Sequence, residues 1–139
     1  MGGDGDPSAD GDQAFSSDVF RLRLGQHPTA PGRARRSIGD WLVSVGCPTE
    51  VVEAMAVVTS ELVTNAIIHA DSAPEVTVTL SDGRVRLEVH DTHPAAPVIR
   101  PDDDRRVGGF GLRVVEALTD GWGWEPTSGG KRVWVETLF

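Results

Sequence analysis

The stretch Glu61-Leu-Val-Thr-Asn65-Ala-Ile-Ile-His69-Ala70 places polar side chains at regular intervals in a segment that is otherwise almost entirely apolar. Glu61, Asn65 and His69 are four residues apart, so on a helix they form one stripe that advances by about 40° at each step. An unpaired amide among aliphatic neighbours costs on the order of 2–7 kcal/mol. Either other side chains or a ligand must therefore meet this stripe.

The composition is that of a single soluble domain. The chain has 139 residues, of which 39% are hydrophobic and 24% are charged. Its net charge of −8 argues against direct nucleic-acid binding, which needs clustered Lys and Arg, and suits a basic patch on a partner protein better. A single cysteine, Cys47, excludes an internal disulfide and a cysteine zinc site, which agrees with a cytoplasmic location. No uninterrupted apolar run approaches about 20 residues, so we expect no membrane span.

The first residues differ in composition from the rest of the chain. Within residues 1–14 glycine is interleaved with aspartate, and such a segment cannot bury enough apolar surface to fold. We therefore expect a disordered tail over residues 1–14 and a single folded domain over residues 15–139.

Periodicity and turn residues predict the secondary structure of this domain. Alternating apolar residues indicate strands, apolar residues three and four apart indicate helices, and glycine or proline marks the breaks. In chain order we predict a strand at 19–24, a helix from Thr29 to Gly46, a long helix from Thr49 to Ala70, strands at 76–80 and 85–90 joined by an Asp82-Gly83 turn, a loop from Asp91 to Val107, a helix after Gly108–Gly111, and two strands around a Ser128–Lys131 turn. This order favours an α+β fold, a two-layer α/β sandwich with three helices on one face of a mixed, mostly antiparallel sheet.

Two residues of the stripe have side chains suited to chemistry. The amide oxygen of Asn65 suits Mg²⁺, a hard cation that prefers oxygen ligands and keeps several waters, although a buried amide bonded to backbone is the structural alternative. Glu61, one turn earlier, would accept a proton near such a metal, a role worth roughly 10²–10⁴ in rate, or would pair with an arginine. We expect His69 to be structural, because a histidine near a helix C-terminus interacts favourably with the dipole.

Asp91 and the segment Gly108-Gly-Phe-Gly111 flank the long loop. Asp91 closes a strand, where an Asx turn is the ordinary structural role and a carboxylate acceptor for an exocyclic amine is the functional one. The glycines precede a helix, so their free amides would suit a phosphate, although a flexible turn explains them equally well. The Lys-Ser/Thr pair of a Walker A loop is absent from this segment.

In combination these motifs are specific. Glu61-x-x-x-Asn65 on a helix, Asp91 after a strand, a long loop, a Gly-x-Gly helix start and a final Gly-Gly-x-x-Val-Trp strand follow in an order that resembles the Bergerat-fold (GHKL) ATP-binding superfamily. The segment from Glu61 to Ala70 and the small size resemble its anti-sigma-factor serine/threonine kinase subgroup, which is common in Gram-positive bacteria and actinomycetes. The resemblance extends over residues 18–138.

This resemblance implies ATP and Mg²⁺ as cofactors and a role for each motif. Asn65 would coordinate Mg²⁺ at the ATP phosphates, Glu61 would activate the attacking hydroxyl of a protein serine, and Asp91 would accept the adenine amine. The resemblance also implies a protein that is often a homodimer, binds a sigma factor and phosphorylates an anti-anti-sigma antagonist. Residues 92–107 would form a lid over the nucleotide, which would be contacted at the helix start by Gly109, Phe110, Gly111 and Leu112.

Two positions depart from the usual pattern of that superfamily. The run Asp91-Thr92-His93-Pro94 lacks the glycine that often follows the aspartate, and Lys131-Arg132 stands where a hydroxylated residue often meets the adenine. We expect the two basic side chains to reach either the adenine end of the pocket or, more commonly for a hairpin, solvent. The alternative to a kinase is a catalytically silent protein-binding module, with or without nucleotide.

Overall fold

A computed structural model describes residues 18–68, 71–93 and 112–139. Several predictions from the sequence lie outside these residues. They concern the tail over residues 1–14, His69 and Ala70, the greater part of the loop that follows Asp91, and Gly108–Gly111.

Three helices and five strands make up the described part of the chain. The sheet has the strand order β1-β2-β3-β5-β4, and each pair of neighbouring strands is antiparallel. The predicted α+β sandwich is confirmed, although the sheet is wholly antiparallel within the described residues, not mixed. In chain order the elements are β1 (Asp18–Arg23), α1 (Ala30–Ser44), α2 (Thr49–Ile68), β2 (Glu75–Ser81), β3 (Arg84–Asp91), α3 (Leu112–Leu118), β4 (Gly121–Thr127) and β5 (Gly130–Leu138).

Helix α1 ends as its sequence predicts. Gly46 has a φ of 86°, a left-handed conformation that glycine adopts without steric cost. The amide of Cys47 donates to the carbonyl of Leu42, and the amide of Gly46 donates to that of Val43, both at 3.0 Å. This pair of bonds is a Schellman motif, and it turns the chain into α2.

Helix α2 is the central element of the core. By length and composition it is apolar enough to cross a membrane. It packs instead against α1, α3 and β3, so that opposite sides of the helix are covered by protein. Its composition therefore follows from its position, because a helix with neighbours on several sides is apolar nearly all round. The largest fully buried side chains of the core are Ile38, Leu42, Met55, Leu87 and Leu112.

The hairpin between β2 and β3 has the predicted Asp-Gly turn. Asp82 and Gly83 have φ values of 49° and 71°. Positive φ at both central residues is the signature of a type I′ turn, whose twist matches that of the flanking strands. This turn sets the register of β3 and therefore places Asp91 at the end of that strand with its side chain on the buried face.

The sheet face opposite the helices carries a cluster of charged residues around an indole. Arg86 lies over the ring of Trp134, with 4.6 Å from its guanidinium carbon to the ring centroid. The same guanidinium bonds Glu88 and Glu136, each at 2.8 Å. Gly123 also lies against the indole, where a Cβ atom would come within 2.6 Å of the ring. The indole is thus held flat on the sheet.

The turn between β4 and β5 is shorter than predicted. It consists of Ser128 and Gly129, and Lys131 lies within β5 opposite Asp91. The expectation that Lys131 belongs to the turn is therefore wrong. Because alternate residues of a strand share a face, Lys131 lies on the same buried face as Val133 and Val135.

Candidate functional site

Asp91 ends β3 as a buried carboxylate with backbone and side-chain partners. Its side chain is 4% exposed. The amide of His93 donates to its Oδ1 atom at 2.9 Å, which is the contact of an Asx turn. The Asx turn, which is the ordinary structural role of an aspartate at a strand end, is therefore present at Asp91. It fixes the direction in which the chain leaves the sheet at Thr92 and His93.

Lys131 occupies the other side of the same carboxylate. Its Nζ atom lies 3.0 Å from Oδ2 and 3.1 Å from Oδ1 of Asp91, and it donates to the carbonyl of His93 at 3.2 Å. The lysine side chain is 8% exposed. A lysine this deeply buried is rare unless it is paired, and this one has three acceptors for its three hydrogens. Of the two positions considered for this lysine, solvent is therefore excluded.

The register of the sheet explains why these two residues meet. Asp91 and Lys131 are direct partners across the β3–β5 ladder, and their side chains project from the same face. Gly130 lies so close to the backbone of Asp91 and Thr92 that a Cβ atom there would collide with both. Glycine at this position therefore lets the two chains approach closely at the strand end.

Ser72 links this strand end to helix α2, a role that sequence reasoning missed. The Ser72 hydroxyl accepts a hydrogen bond from the amide of Thr92 at 3.0 Å and another from the Thr92 hydroxyl at 3.3 Å. The amide of Ser72 donates to the carbonyl of Ala66 at 3.2 Å. The last turns of α2 and the end of β3 are thus connected through one buried residue, by its backbone amide on one side and its hydroxyl on the other.

Glu61 and Asn65 both lie in α2, one turn apart. Residues at this spacing have Cβ atoms about 5–6 Å apart. Glu61 is 8% exposed, and Asn65 is half-buried. Asn65 is followed directly by Ala66, whose carbonyl accepts the hydrogen bond from the amide of Ser72. The structure therefore brings the Asn65 turn and the end of β3 to the same edge of the sandwich.

Leu112, the first residue of α3, has a fully buried side chain that belongs to the core. A ligand at this helix start would therefore meet the backbone of Leu112, not its side chain. The other residues predicted to contact a nucleotide there, Gly109, Phe110 and Gly111, lie outside the described residues.

The donor set of the described residues limits what metal could bind. No group of three or more His, Cys, Asp and Glu side chains that could hold a metal comes together among residues 18–68, 71–93 and 112–139. A divalent cation at Asn65 would thus take most of its ligands from water and from a phosphate substrate. Mg²⁺ is commonly bound in this way, since it retains several waters and substrate phosphate oxygens. The amide oxygen of Asn65 fits that ion.

Comparison with known proteins agrees with the fold. Residues 26–137 match the family model described as "Histidine kinase-like ATPase domain". The chain belongs to this family.

Two particular proteins are similar to it. The chain is 27% identical over 124 residues to "Serine-protein kinase RsbW" of Oceanobacillus iheyensis, covering 74% of this chain and 76% of that protein. Its fold also matches a crystal structure of the RsbU and RsbW domains of a Mycobacterium tuberculosis protein, with a TM-score of 0.68 and 21% sequence identity. That match covers 87% of this chain and 32% of the larger protein, so the chain spans about a third of it.

Proposed function

We propose that this protein is a cytoplasmic, Mg-ATP-dependent serine/threonine kinase of the anti-sigma-factor type. It would bind a sigma factor and phosphorylate an anti-anti-sigma antagonist, acting as a homodimer. The observation that carries this proposal is the Glu61–Asn65 pair in α2, the helix whose end is bonded through Ser72 to the residue that follows Asp91. The match to the ATPase family and the similarity to a protein named as a serine kinase support it.

Asn65 and Glu61 have separate roles in this proposal. Asn65 offers its amide oxygen to Mg²⁺ at the nucleotide phosphates, where the ion supplies charge neutralisation for the transferred group. Glu61 is a carboxylate in a largely buried position one turn away, suited to accept a proton from a substrate hydroxyl. A protein that only bound nucleotide would not need this carboxylate beside the metal-binding amide.

The nucleotide would lie between α2 and the following loop. Asp91 is the acceptor available to the exocyclic amine of the base. The residues that would contact the phosphates at the start of α3 are Gly109, Phe110, Gly111 and, through its backbone, Leu112.

The proposed reaction is an in-line transfer of the γ-phosphoryl group. The serine oxygen of the antagonist forms a bond to the γ-phosphorus, while the bond from phosphorus to the β–γ bridging oxygen breaks and ADP departs with the electron pair. Glu61 takes the proton of the serine hydroxyl. Positioning and neutralisation of charge supply most of the rate enhancement in reactions of this kind.

A second candidate function is favoured by one observation. Asp91 is already bonded to a buried lysine, so its acceptor capacity is partly used within the protein. A protein-binding module without phosphoryl transfer would retain the sigma-factor surface and leave this pair undisturbed. Partner binding without phosphate transfer to the antagonist would support that alternative.

Phosphate transfer from labelled ATP to a cognate antagonist tests the kinase proposal. Glu61→Gln should lower the rate by roughly 10²–10⁴, the usual contribution of a general base. Glu53→Gln is a matched control, because Glu53 is an exposed carboxylate in the same helix. An unchanged rate in Glu61→Gln would remove Glu61 from the mechanism. Light scattering with and without a sigma factor would test the homodimer and the complex.

A further inference from the structure

A groove beside the proposed catalytic residues takes no part in the proposed reaction. It has a volume of about 550 Å³ and lies between the last turns of α2 and the segment that leads from β1 into α1. Thr64, Ile67 and Ile68 line it from α2, and Pro28 and Pro31 line it from the other side. Ile68 is 55% exposed, so the groove presents a large apolar side chain to solvent. A concave surface of this kind suits an apolar group of a partner.

Polar contacts hold the wall of the groove that precedes α1. Nε2 of Gln26 donates to Oδ1 of Asp71 at 2.7 Å, which joins this wall to the segment that follows α2. Nδ1 of His27 lies 2.8 Å from the hydroxyl of Thr29, and the carbonyl of His27 accepts from the amide of Ala30 at 2.9 Å. The groove is therefore formed before any partner binds.

The groove lies on the same side of α2 as the proposed base, Glu61. Thr64 and Ile68 follow Glu61 by three and seven residues, spacings that place side chains on one face of a helix. With a rise of about 1.5 Å per residue, Ile68 lies about 10 Å from Glu61 along the helix axis. An extended chain covers that distance in about three residues. A segment whose serine reaches Glu61 therefore places a nearby side chain in the groove.

Arg35 supplies a positive charge at the border of the groove. It follows Pro31 by four residues in α1, so the two share a face, and a helical side chain covers the turn that precedes its own Cα atom. Arg35 is exposed and pairs with no carboxylate among the described residues. In a chain whose net charge is −8, an unpaired arginine at this place favours an acidic group on the partner.

We propose, on the basis of the proposed function, that this groove binds the segment of the antagonist that carries the phosphoacceptor serine. An apolar side chain about three residues from that serine packs against Ile68 and Thr64. An acidic side chain further along the segment pairs with Arg35. The groove thus determines which serine of the antagonist reaches Glu61, and Ile68 contributes to the affinity for the antagonist without taking part in the transfer step.

Steady-state kinetics of phosphate transfer separates binding of the antagonist from the transfer step. The antagonist that the wild-type protein phosphorylates is varied at saturating Mg-ATP with the wild-type protein, Ile68→Ser and Val43→Ser. Val43→Ser is the matched control, because Val43 is 64% exposed in α1 and does not line the groove. Calorimetry measures the ATP affinity of each protein, and far-UV circular dichroism establishes that each is folded.

Ile68→Ser should raise the KM for the antagonist by about tenfold or more, because it removes a buried apolar contact from the complex. Its kcat should stay within about twofold of wild type, as expected when only binding is lost. Its ATP affinity should not change, and Val43→Ser should behave as the wild-type protein does. Added salt should raise the KM of the wild-type protein more than that of Arg35→Gln, because salt screens an exposed charge pair.

Four outcomes would overturn the inference in different ways. An unchanged KM in Ile68→Ser would refute the docking role and leave the proposed kinase standing. ATP binding weakened in Ile68→Ser as much as the KM is raised would mean that the groove belongs to the nucleotide site. Loss of the homodimer in Ile68→Ser, measured by light scattering, would mean that a second copy of the chain occupies the groove. No transfer from the wild-type protein to any antagonist would overturn the proposed function together with the inference.

Discussion

Replacing Asp91 by Asn should destabilise the protein strongly, although the two side chains have nearly the same shape. The substitution removes the only carboxylate bonded to Lys131 among the described residues and leaves its ammonium group buried. Removal of one partner from a buried ion pair costs about 3–5 kcal/mol, because the remaining charge is no longer compensated. That is a large share of the 5–15 kcal/mol that stabilises a typical domain.

Urea unfolding followed by far-UV circular dichroism measures this loss. Glu75→Gln is the control, because it breaks the exposed pair of Glu75 with Arg23 and should cost no more than about 1 kcal/mol. The double variant of Asp91→Asn with Lys131→Met should recover most of the lost stability, since an apolar replacement of a buried pair is often neutral or better.

The free energies of unfolding of the three variants distinguish the possible causes of this loss of stability. A free energy of unfolding for Asp91→Asn that falls no further than that of Glu75→Gln would show that the ammonium is not buried against Asp91. Equal instability of the double variant and of Asp91→Asn would show that the loss does not come from the uncompensated charge.

Three other residues give sharper local tests. Gly123→Ala should lose about 1–3 kcal/mol of stability to urea, because its Cβ would lie 2.6 Å from the ring of Trp134; a midpoint equal to wild type would refute the contact. Ser72→Ala should lower the free energy of unfolding by about 1–3 kcal/mol, because it removes the acceptor of the Thr92 amide. Hydrogen exchange at that amide should accelerate, and an unchanged exchange rate would contradict the bond. Burial raises the pKa of the Cys47 thiol, so iodoacetamide at pH 8 should modify it more slowly in the folded protein than in urea; equal rates would contradict its burial.

The helices and the first hairpin could be predicted because their signals are local. Gly46 and the Asp82-Gly83 pair have backbone conformations that few other residues adopt easily, so the residue type alone indicates the turn. The apolar spacing of α1 likewise reports which side of that helix faces the core. Only its neighbours in the fold explain the nearly uniform apolar surface of α2.

The position of Lys131 was mispredicted although the sequence contains a signal for it. The residues at 131, 133, 135 and 137 alternate with exposed or half-buried ones, and this period of two extends the buried face of β5 back to the lysine. A charged residue next to two glycines is more often part of a turn. The prediction followed this general tendency and placed Lys131 in the turn. The partner across the ladder, Asp91, is 40 residues away along the chain, so only the register of the sheet reveals the pair.

The role of Ser72 had no signal in the sequence. It lies in the segment Asp71-Ser-Ala-Pro74, whose composition is that of any surface turn. Its importance comes from where three separate segments meet: the end of α2, the segment before β2 and the end of β3. Such a contact depends on the tertiary arrangement and not on the residue type.

Calorimetric titration of ATP with Mg²⁺ into the wild-type protein, Asn65→Ala and Thr64→Ala tests the central claim most directly. Thr64 is the adjacent residue of α2 and lines a different groove, together with Pro31 and Ile67. We expect micromolar binding, on the order of −8 kcal/mol, for the wild-type protein and Thr64→Ala, and at least about tenfold weaker binding for Asn65→Ala. Equal affinities in all three proteins, or no heat in any of them, would contradict a nucleotide site built on Asn65.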